Sequence, residues 1–396
     1  MTSTFEHKKQ NLRSGFSTGA CATSAAVKAY CYLKKIDFDD QLLFLDGKVR
    51  YLGSSVDSVD FEQKVCIASI IKDAGDDPDV TNKAKISIKV SLNESAANMS
   101  NKQNEYCLTK EIKVDENRVL ICHLYGGEGI GVVTRSGLPV KKGLFAINPK
   151  PVEMILKNLQ IVINKFNLLT SEFKCEEIFI EISIQNGVEI AKKTLNKSLG
   201  IIGGLSILGT TGIVRPYSHE SYIATIKIQL DAIINNGLKN VAICTGVQTE
   251  KAIIRDFKHS QYSITKENCV RIADFISESL NYINEQQFDN VIVGCMIGKL
   301  YKYACGLKNT HAHKNALDTH LIIKLLRKYF VNENIISEIA KLSTIRQIKE
   351  EISIDIWQKL EHDIMGLALI NLRKWCPNCY IKLLLYNHDN SLIRAL

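Results

Sequence analysis

The sequence contains no apolar run long enough to cross a membrane. The nearest candidate, residues 198–214, is uncharged, but it is shorter than the roughly 20 apolar residues of a spanning helix. It is also interrupted by Gly203-Gly204 and by Thr210-Thr211. Residues 1–10, MTSTFEHKKQ, have no apolar core of the kind found in signal peptides. We therefore expect a soluble, cytoplasmic protein that does not bind membranes.

The sequence also lacks a disulfide framework, although it has 12 cysteines. The cysteines are scattered and mostly lie in apolar runs such as VAICTG and VLICHLY, which is typical of buried, reduced thiols in an intracellular protein. Cys376 and Cys379 form one Cys-x-x-Cys pair in WCPNCY, without the context of a thioredoxin fold and without a second pair to complete a metal site. We predict neither a redox site nor a metal site.

A basic block with interleaved aromatic residues is absent as well. The formal net charge is +8, but the lysines are spread along all 396 residues. This distribution is typical of a solvated surface and is compatible with an acidic ligand, whereas a nucleic-acid groove concentrates its positive charge. We expect no nucleic-acid partner.

The pattern of apolar residues differs between the two halves of the chain. Up to about residue 195, runs such as VCIASII, ISIKVSL, RVLICHLY and EIFIEISI indicate strands, and residues 19–35 and 151–166 indicate helices. After about residue 215, helical patterns over 220–237 and 267–286 alternate with the buried strands NVAICTG and DNVIVGCM, which favours a parallel sheet. We predict an α+β domain with a mixed sheet over residues 1–195 and an α/β domain with a parallel sheet flanked by helices over residues 196–396.

Two segments near the N-terminus carry candidate ligand-binding groups. In RSGFSTGACATSAA, Ser17 or Thr18 can cap a helix whose small first turn, including Gly19, leaves N–H groups for an anion. Tight packing of the same helix start is the alternative. In KDAGDDPDVT, Asp76 is one of four crowded aspartates that need a cation, ligand hydroxyls or solvent around them. The spacing does not match an EF-hand loop, and a solvated acidic turn is the alternative.

Glycine-rich and lysine-rich segments form a second group of candidates. The G-x-G-x-G run at residues 127–131 is followed by a strand-like VVT and not by a helix, which argues against a Rossmann fingerprint. Residues 294–313 follow a buried strand, where α/β sheets present ligand-binding loops. This segment contains Lys299 and His311 but lacks the spacing of a Walker A loop. His311 is either a structural hydrogen-bonding group or a catalyst.

Five segments occur in the same order as in the cobalt-precorrin-5B C(1)-methyltransferase family of anaerobic cobalamin biosynthesis. They are LRSGFSTGACATSAA, KDAGDDPDVT, GEGIGVVTRSGLPVKKGLFAINPKP, AKKTLNKSLGIIGGLSILGTTGIVRPYS and IGKLYKYACGLKNTH. The chain resembles this family from about residue 12 to about residue 320. It departs from the family pattern at Val152 and Ser198, where the family usually has arginine, and in CTGVQTE at residues 244–250.

The resemblance implies a reaction and an architecture. The reaction is the S-adenosyl-L-methionine-dependent methylation of carbon 1 of cobalt-precorrin-5B, which gives cobalt-precorrin-6A. The architecture is a two-domain α+β and α/β fold, unlike the usual Rossmann-type methyltransferases. Cobalt arrives inside the substrate, so the protein itself is expected to hold no metal. Neighbouring enzymes of the pathway are conceivable partners.

For this chemistry we predict a set of site residues. His311 or Asp76 would act as the base that makes the ring carbon an enamine-like nucleophile. Lys299 and Arg215 would pair with the carboxylates of the macrocycle, and Gly129 and Gly131 would contact it. Glycine lets the backbone approach a ligand closely, unless the loop is only a hinge. The predicted cofactor contacts are Thr18, Gly19, Gly203, Gly204, Gly209, Thr210, Thr211 and Gly212.

Two other classes of function remain open at the level of the sequence. A phosphate-binding, kinase-like enzyme would use the helix start at residues 17–20 as its anion site. A tetrapyrrole-binding pathway protein without catalytic activity would explain the glycine-rich loops without any chemistry. Nucleotide binding would favour the first class, and macrocycle binding without turnover would favour the second.

Overall fold

The computed structural model describes residues 12–97, 107–113, 118–166, 175–216, 218–311, 318–329 and 331–396. The chain divides into two compact units, Met1–Ser218 and His219–Leu396. The uncharged segment 198–214 therefore belongs to the first unit, although the sequence predicts a domain boundary before it, at residue 196. Its backbone pairs with strands of the first unit, and this pairing is the physical reason for the difference.

The first unit contains short and long strands with a few helices. Its strands are β1 Gly15–Phe16, β2 Gln41–Leu43, β3 Val49–Tyr51, β4 Ser55–Asp60, β5 Val65–Ile71, β6 Lys85–Ser91, β7 Leu108–Lys113, β8 Val119–Gly126, β9 Val132–Val133, β10 Cys175–Ile184, β11 Ile201–Ile202 and β12 Ile213–Val214. Its helices are α1 Thr18–Leu33, α2 Glu94–Ala97, α3 Pro149–Phe166 and α4 Gly187–Ala191.

A six-stranded mixed sheet forms the centre of this unit. The strand order is β4-β5-β6-β10-β8-β7, in which only β8 and β10 run parallel. The helix α1 packs on β5 and β6 and against α3. Almost every residue of α1 is buried, and its small side chains allow this close approach to the sheet. The predicted mixed α+β architecture is confirmed.

The glycine-rich segments form a second layer of pairing in the same unit. Strand β12 pairs with β1, and β11 pairs with β9, both antiparallel. Isolated bridges join Ile130 to Leu205 and Ile147 to Ile207. The uncharged segment is thus a scaffold element that ties three parts of the first unit together.

The second unit alternates strands and helices. Its strands are β13 Asn240–Cys244, β14 Cys269–Arg271, β15 Asn290–Met296, β16 Tyr380–Tyr386 and β17 Leu392–Ala395. Its helices are α5 His219–Asn235, α6 Val247–Phe257, α7 Ile276–Glu285, α8 Ile297–Ala304, α9 His320–Lys328, α10 Glu333–Ile339, α11 Ile345–Glu350 and α12 Ile354–Trp375.

The sheet of the second unit has the order β14-β13-β15-β16-β17. The first four strands are parallel and β17 is antiparallel at the edge. Alternate residues of β13, β15 and β16 enter two different apolar clusters, so helices cover both faces of the sheet. The predicted parallel sheet flanked by helices is confirmed, and its strand order differs from the Rossmann order.

One predicted element is wrong. The helix expected over residues 267–286 is in fact strand β14 followed by the shorter helix α7. The apolar run at 269–272 is paired with β13, and the pairing in the sheet outweighs the helical periodicity of the segment. None of the helices in the described part of the chain is long and apolar enough to span a bilayer.

Candidate functional site

The start of α1 is packed against protein and offers no anion site at Gly19. The N–H of Gly19 donates to the carbonyl oxygen of Leu208 over 3.0 Å, and the N–H of Ala20 donates to the hydroxyl of Ser17 over 3.2 Å. A β-carbon on Gly19 would lie 2.7 Å from Cγ of Pro151. The helix start is therefore tightly packed at Gly19, and a cofactor contact there stays a prediction.

Thr18 ties the same helix start to the uncharged segment. Its hydroxyl accepts a hydrogen bond from the N–H of Leu208 over 2.9 Å and faces the carbonyl oxygens of Ser206 and Leu208 at 3.3 and 3.2 Å. The side chain is buried. Thr18 therefore has a structural role within the protein, and its contact with a cofactor stays a prediction.

Most of the glycines predicted to face a ligand face protein atoms instead. A β-carbon on Gly204 would lie 2.3 Å from the carbonyl oxygen of Gly129, and one on Gly129 would lie 2.1 Å from that of Ile184. The same test places Gly131 at 2.5 Å from Cγ2 of Ile201, Gly209 at 2.3 Å from Oγ of Ser17, and Gly212 at 2.7 Å from Cδ1 of Phe44. These five glycines permit close packing of the chain on itself, and their role as ligand contacts stays a prediction.

Four predicted residues in or next to the uncharged segment remain open to a ligand. Gly203 has a φ of +86°, and no atom lies within 4 Å of the place of a β-carbon. Thr210 and Arg215 are exposed. Thr211 is half-buried, and its hydroxyl accepts from the N–H of Ile213 over 3.3 Å. Ligand contacts at these four positions stay predictions.

The crowded aspartates of the first unit are balanced by the protein's own cations. The guanidinium of Arg13 donates to both carboxylate oxygens of Asp73, over 2.5 and 2.9 Å, and lowers the pKa of Asp73 to about 2. The N–H of Arg13 donates to the carboxylate of Asp76 over 2.6 Å. The structure thus gives Asp76 a structural role in holding residue 13, and its role as a base stays a prediction.

A second cation of this cluster is fully buried. Only 1% of the side chain of Lys72 is exposed, and its Nζ lies 2.7 Å from the carboxylate of Asp79. Thr81 also donates to Asp79, from its N–H and its hydroxyl. Burial acts to raise the pKa of Asp79, but the charge of Lys72 and these hydrogen bonds outweigh it, so that the pKa is lowered. The pair is a structural ion pair.

The second unit brings together a polar cluster at the carboxyl edge of its sheet. Lys299, in the first turn of α8, donates through Nζ to the carboxylate of Asp274 and to the hydroxyl of Thr310, the latter over 2.8 Å. The hydroxyl of Thr310 donates to the same carboxylate over 2.9 Å. We call Asp274, Lys299 and Thr310 the edge cluster. It joins the loop after β14 to the first turn of α8 and to the loop that follows α8.

Electrostatics set the charge states within the edge cluster. Burial acts to raise the pKa of Asp274, but hydrogen bonds from Lys299 and Thr310 outweigh it and lower the pKa. Lys302, which donates to the carbonyl oxygen of Thr310 over 2.8 Å, has a pKa lowered by burial and by the charge of Lys299. The charge of Lys299 is therefore already matched inside the protein.

His311 lies next to the edge cluster in a group of aromatic rings. Its backbone N–H donates to the side-chain oxygen of Asn309 over 3.0 Å. The centroid of its ring lies 6.3 Å from that of the His219 ring. The ring of His219 packs edge-on against Phe275 at 5.4 Å. The charge of His311 contributes to lowering the pKa of Asp274. Lys299 contacts Thr310, which directly precedes His311, and the roles of Lys299 and His311 in a site stay predictions.

Asp274 belongs to the edge cluster but is not predicted from the sequence. The signal was present, because the short apolar run CVRI ends two residues before Asp274, which is the pattern of a buried strand followed by a polar loop. The predicted helix over 267–286 conceals it. Glu250, at 3.7 Å from Arg271 on the same edge, is missed for a similar reason, since its partner lies on the unpredicted strand.

The cysteine pair at the end of α12 lies outside this site. Cys376 and Cys379 are both buried, and neither forms a disulfide. Within the described ranges of the chain, no group of three or more His, Cys, Asp or Glu residues is placed to hold a metal ion.

A model of the CbiD protein family matches residues 5–216 of the chain. The curated protein cobalt-precorrin-5B C(1)-methyltransferase of Picrophilus torridus is 34% identical over 385 residues, which are 96% of this chain and 99% of that protein. The protein of the same name from Methanococcus vannielii is 33% identical over 85% of this chain and 82% of its own length. That from Geobacter sulfurreducens is 30% identical over 97% of this chain and 98% of its own length.

A crystal structure of the cobalamin biosynthesis protein (cbiD) from Archaeoglobus fulgidus is 24% identical and covers 74% of this chain and 80% of that one, with a TM-score of 0.35. The family match covers more than half of the chain, and the curated relatives are aligned along most of it. The resemblance noted in the sequence is confirmed: the chain belongs to the CbiD family, whose matching curated members are named cobalt-precorrin-5B C(1)-methyltransferase.

Proposed function

We propose that this protein transfers a methyl group from S-adenosyl-L-methionine to carbon 1 of cobalt-precorrin-5B, giving cobalt-precorrin-6A. Family membership supports the reaction, because relatives of that name align with nearly the whole chain. The observation that supports the catalytic part is the edge cluster, in which a carboxylate, an ammonium and a hydroxyl meet at the residue that precedes His311. We expect the reaction in the cytoplasm, as for other steps of a biosynthetic pathway.

The residues present fit a donor of this kind. S-adenosyl-L-methionine supplies a methyl group on a sulfonium, whose positive charge disappears during the transfer. The protein mainly has to hold the two reacting carbons in line and exclude water, so no strong electrostatic catalyst is required at the sulfur. The backbone at Gly298 is open, since no protein atom lies within 4 Å of the place of a β-carbon.

His311 is the proposed base. Removal of a proton from the substrate would let the ring carbon act as an enamine-like nucleophile, and an imidazole is suited to accept that proton near neutral pH. The nearby carboxylate of Asp274 would stabilise the imidazolium that forms. Lys299 and Thr310 would hold this carboxylate in place. In this assignment, Lys299 and Thr310 are positioning residues.

The carboxylates of the macrocycle need a cation that the protein has not already paired. Lys299 does not meet this requirement, because Asp274 neutralises it. Arg215 is exposed, and no ion pair of Arg215 is found in the described part of the chain. We therefore propose Arg215 as the partner of a substrate carboxylate, with a bidentate pairing that its guanidinium permits.

The test is an anaerobic assay with cobalt-precorrin-5B and S-adenosyl-L-methionine, followed by mass spectrometry of the macrocycle. We expect a mass gain of one methyl group together with release of S-adenosyl-L-homocysteine. Binding of the macrocycle without a mass gain would contradict the proposed methyl transfer and favour a binding protein without catalytic activity. Phosphate transfer from ATP would favour a kinase-like enzyme, although the carbonyl of Leu208 and the hydroxyl of Ser17 already occupy N–H groups at its predicted anion site.

A further inference from the structure

We propose that the methyl donor binds at the carboxyl edge of the sheet in the second unit, over Gly246 and Gly298. The ligand class is a nucleoside that carries a sulfonium amino acid. This inference rests on the proposed function and moves the donor away from the first-unit segment, where protein atoms fill the space beside most of the glycines.

The strand order identifies where on the sheet a ligand is expected. From β13 the chain passes to β14 on one side and then returns to β15 on the other side of β13. In open α/β sheets, ligands bind outside the carboxyl ends of the strands at the point where the order reverses. Here that point lies between the ends of β13 and β15, which are direct neighbours with Cys244 opposite Gly294.

Two helices begin at this point without a side-chain cap. Gly246 precedes α6 and Met296 precedes α8. Neither residue has a side chain that accepts a hydrogen bond from an N–H group of the first turn. The first N–H groups of a helix need acceptors, and the helix dipole favours a negative group there. The carboxylate of an amino acid is such an acceptor.

The glycines at the two helix starts are not required by the protein's own packing. No atom lies within 4 Å of the place of a β-carbon on Gly246 or Gly298, and Gly246 has an extended backbone with a φ of −171° that any residue adopts. Gly294, on β15, is the contrasting case, since a β-carbon there would lie 2.4 Å from Cδ1 of Ile253. The space beside Gly246 and Gly298 is thus open, and a side chain at either position would occupy it.

A buried hydroxyl without a protein partner provides an independent observation. Tyr303 of α8 is 0% exposed, and its hydroxyl makes no hydrogen bond. Burial raises its pKa, and the charges of Cys295, Asp274 and Cys244 act in the same direction. Tyr303 lies four residues after Lys299 on α8, so the two residues share one face of this helix, the face on which Lys299 joins the edge cluster. An unpaired buried hydroxyl is costly, and a polar atom of a ligand at this edge would satisfy it.

The charges of the edge favour a zwitterionic ligand over a nucleoside triphosphate. Lys299 is paired with Asp274, and Arg271 lies 3.7 Å from Glu250. A triphosphate needs several cations that carboxylates do not already neutralise. The carboxylates of Asp274 and Glu250 can instead accept hydrogen bonds from ribose hydroxyls, as acidic residues do in other α/β sheets.

Calorimetric titration of the full chain with S-adenosyl-L-homocysteine tests the inference independently of turnover. We expect Gly246→Val and Gly298→Leu to weaken binding at least about tenfold, because their side chains occupy ligand space. Gly366→Leu is the matched control, since Gly366 also has no atom within 4 Å of a β-carbon but lies in the middle of α12. It should bind like the unmodified chain, and all three variants should keep its melting temperature.

Tyr303→Phe provides a second variant with no risk of overpacking. We expect it to weaken binding about fivefold and to leave the stability of the ligand-free protein unchanged, because its hydroxyl has no partner to lose. Unchanged binding in all three edge variants would overturn this inference and leave the proposed function intact. No binding to the unmodified chain would overturn both. Loss of ATP binding in these variants, with S-adenosyl-L-homocysteine unaffected, would overturn the inference in favour of a nucleotide site.

Discussion

The carbonyl oxygen of Gly129 lies 2.3 Å from the place that a β-carbon on Gly204 would occupy. The two segments meet backbone to backbone, and the N–H of Leu205 donates to the same carbonyl oxygen over 2.8 Å. Glycine at position 204 is therefore required by the packing of the first unit, whether or not a ligand is bound.

Gly204→Ala should lower the free energy of unfolding by about 2–3 kcal/mol, because the methyl group must displace a backbone carbonyl. Gly203→Asn is the matched control. Gly203 has open space beside it, and asparagine tolerates the left-handed conformation, so the loss there should stay below about 1 kcal/mol. Denaturant unfolding of both variants measures the difference. Equal losses would contradict the packing role of Gly204.

Thr18→Val should cost about 1–3 kcal/mol, because it leaves the N–H of Leu208 without its acceptor in a buried place. Thr23→Val in the same helix is the control. The hydroxyl of Thr23 donates to the carbonyl oxygen of Gly19, which also accepts a backbone hydrogen bond within the helix. Removal of this hydroxyl should therefore lower the free energy of unfolding by less. Binding of S-adenosyl-L-homocysteine to Thr18→Val should be unchanged. A stable variant with lost binding would restore Thr18 as a cofactor contact.

The sequence predicts the regular elements of this protein well where their apolar pattern is strong. The run at 65–71 coincides with β5, and the helix expected at 151–166 is contained in α3. Strand β14 is missed because only three of its residues are paired, and such a short run has no period of its own. Tertiary pairing with β13 decides its conformation.

The site is predicted less well, for a physical reason. Glycine in a sequence marks a close approach, but the pattern does not say whether the approaching atoms belong to a ligand or to the protein itself. Gly203 and Gly204 are neighbours, and only Gly203 has open space beside it. Lys299 is predicted from its place after a buried strand. Its pairing with Asp274 is not predicted, because the two residues lie in separate segments that only the folded chain brings together.

Asp79→Asn should destabilise the protein by about 3–5 kcal/mol, because it leaves the buried ammonium of Lys72 without a counter-charge. Asp73→Asn should cost much less, since Arg13 is exposed and solvent replaces its partner. Denaturant unfolding of the two variants at pH 7 measures the contrast. A larger loss for Asp73→Asn would contradict the structural ranking of the two pairs.

The same carboxylates predict how the free energy of unfolding falls at acid pH. The pKa of Asp73 is lowered to about 2, and that of Asp79 is lowered as well. A lowered pKa means that the folded state releases the proton more readily than the unfolded chain, whose value is about 3.9. The stabilisation is therefore complete above about pH 4 and is lost as the pH falls towards 2. Asp79→Asn should make the free energy of unfolding depend less steeply on pH in this range. A dependence as steep as that of the unmodified chain would contradict the lowered pKa of Asp79.

Replacement of both Cys376 and Cys379 by alanine should leave the rate of methyl transfer unchanged in an anaerobic assay. The two thiols are buried at the end of α12, so the change should appear only as a loss of stability of about 1–2 kcal/mol. The assay is run on variant protein whose folding has been checked by its melting temperature. A large loss of rate in the folded variant would point to a redox or metal role for this pair.

His311→Gln should lower the turnover number by about 10² or more, because the proposed base is lost. The dissociation constant of S-adenosyl-L-homocysteine should change little, since no proton is transferred on binding. Thr310→Val is an informative companion, because it removes a hydrogen bond to Asp274 and leaves the imidazole in place. We expect a smaller loss of rate for Thr310→Val. Normal turnover in His311→Gln would remove His311 from the mechanism without affecting the reaction itself.

The most direct test of the proposed reaction is the position of the transferred methyl group. The protein is incubated anaerobically with cobalt-precorrin-5B and S-adenosyl-L-methionine labelled with carbon-13 in its methyl group, and the macrocycle is examined by carbon NMR. The proposal predicts a single labelled methyl group on a quaternary ring carbon at position 1. A labelled methyl group on another ring carbon, or no transfer to the authentic substrate, would contradict it.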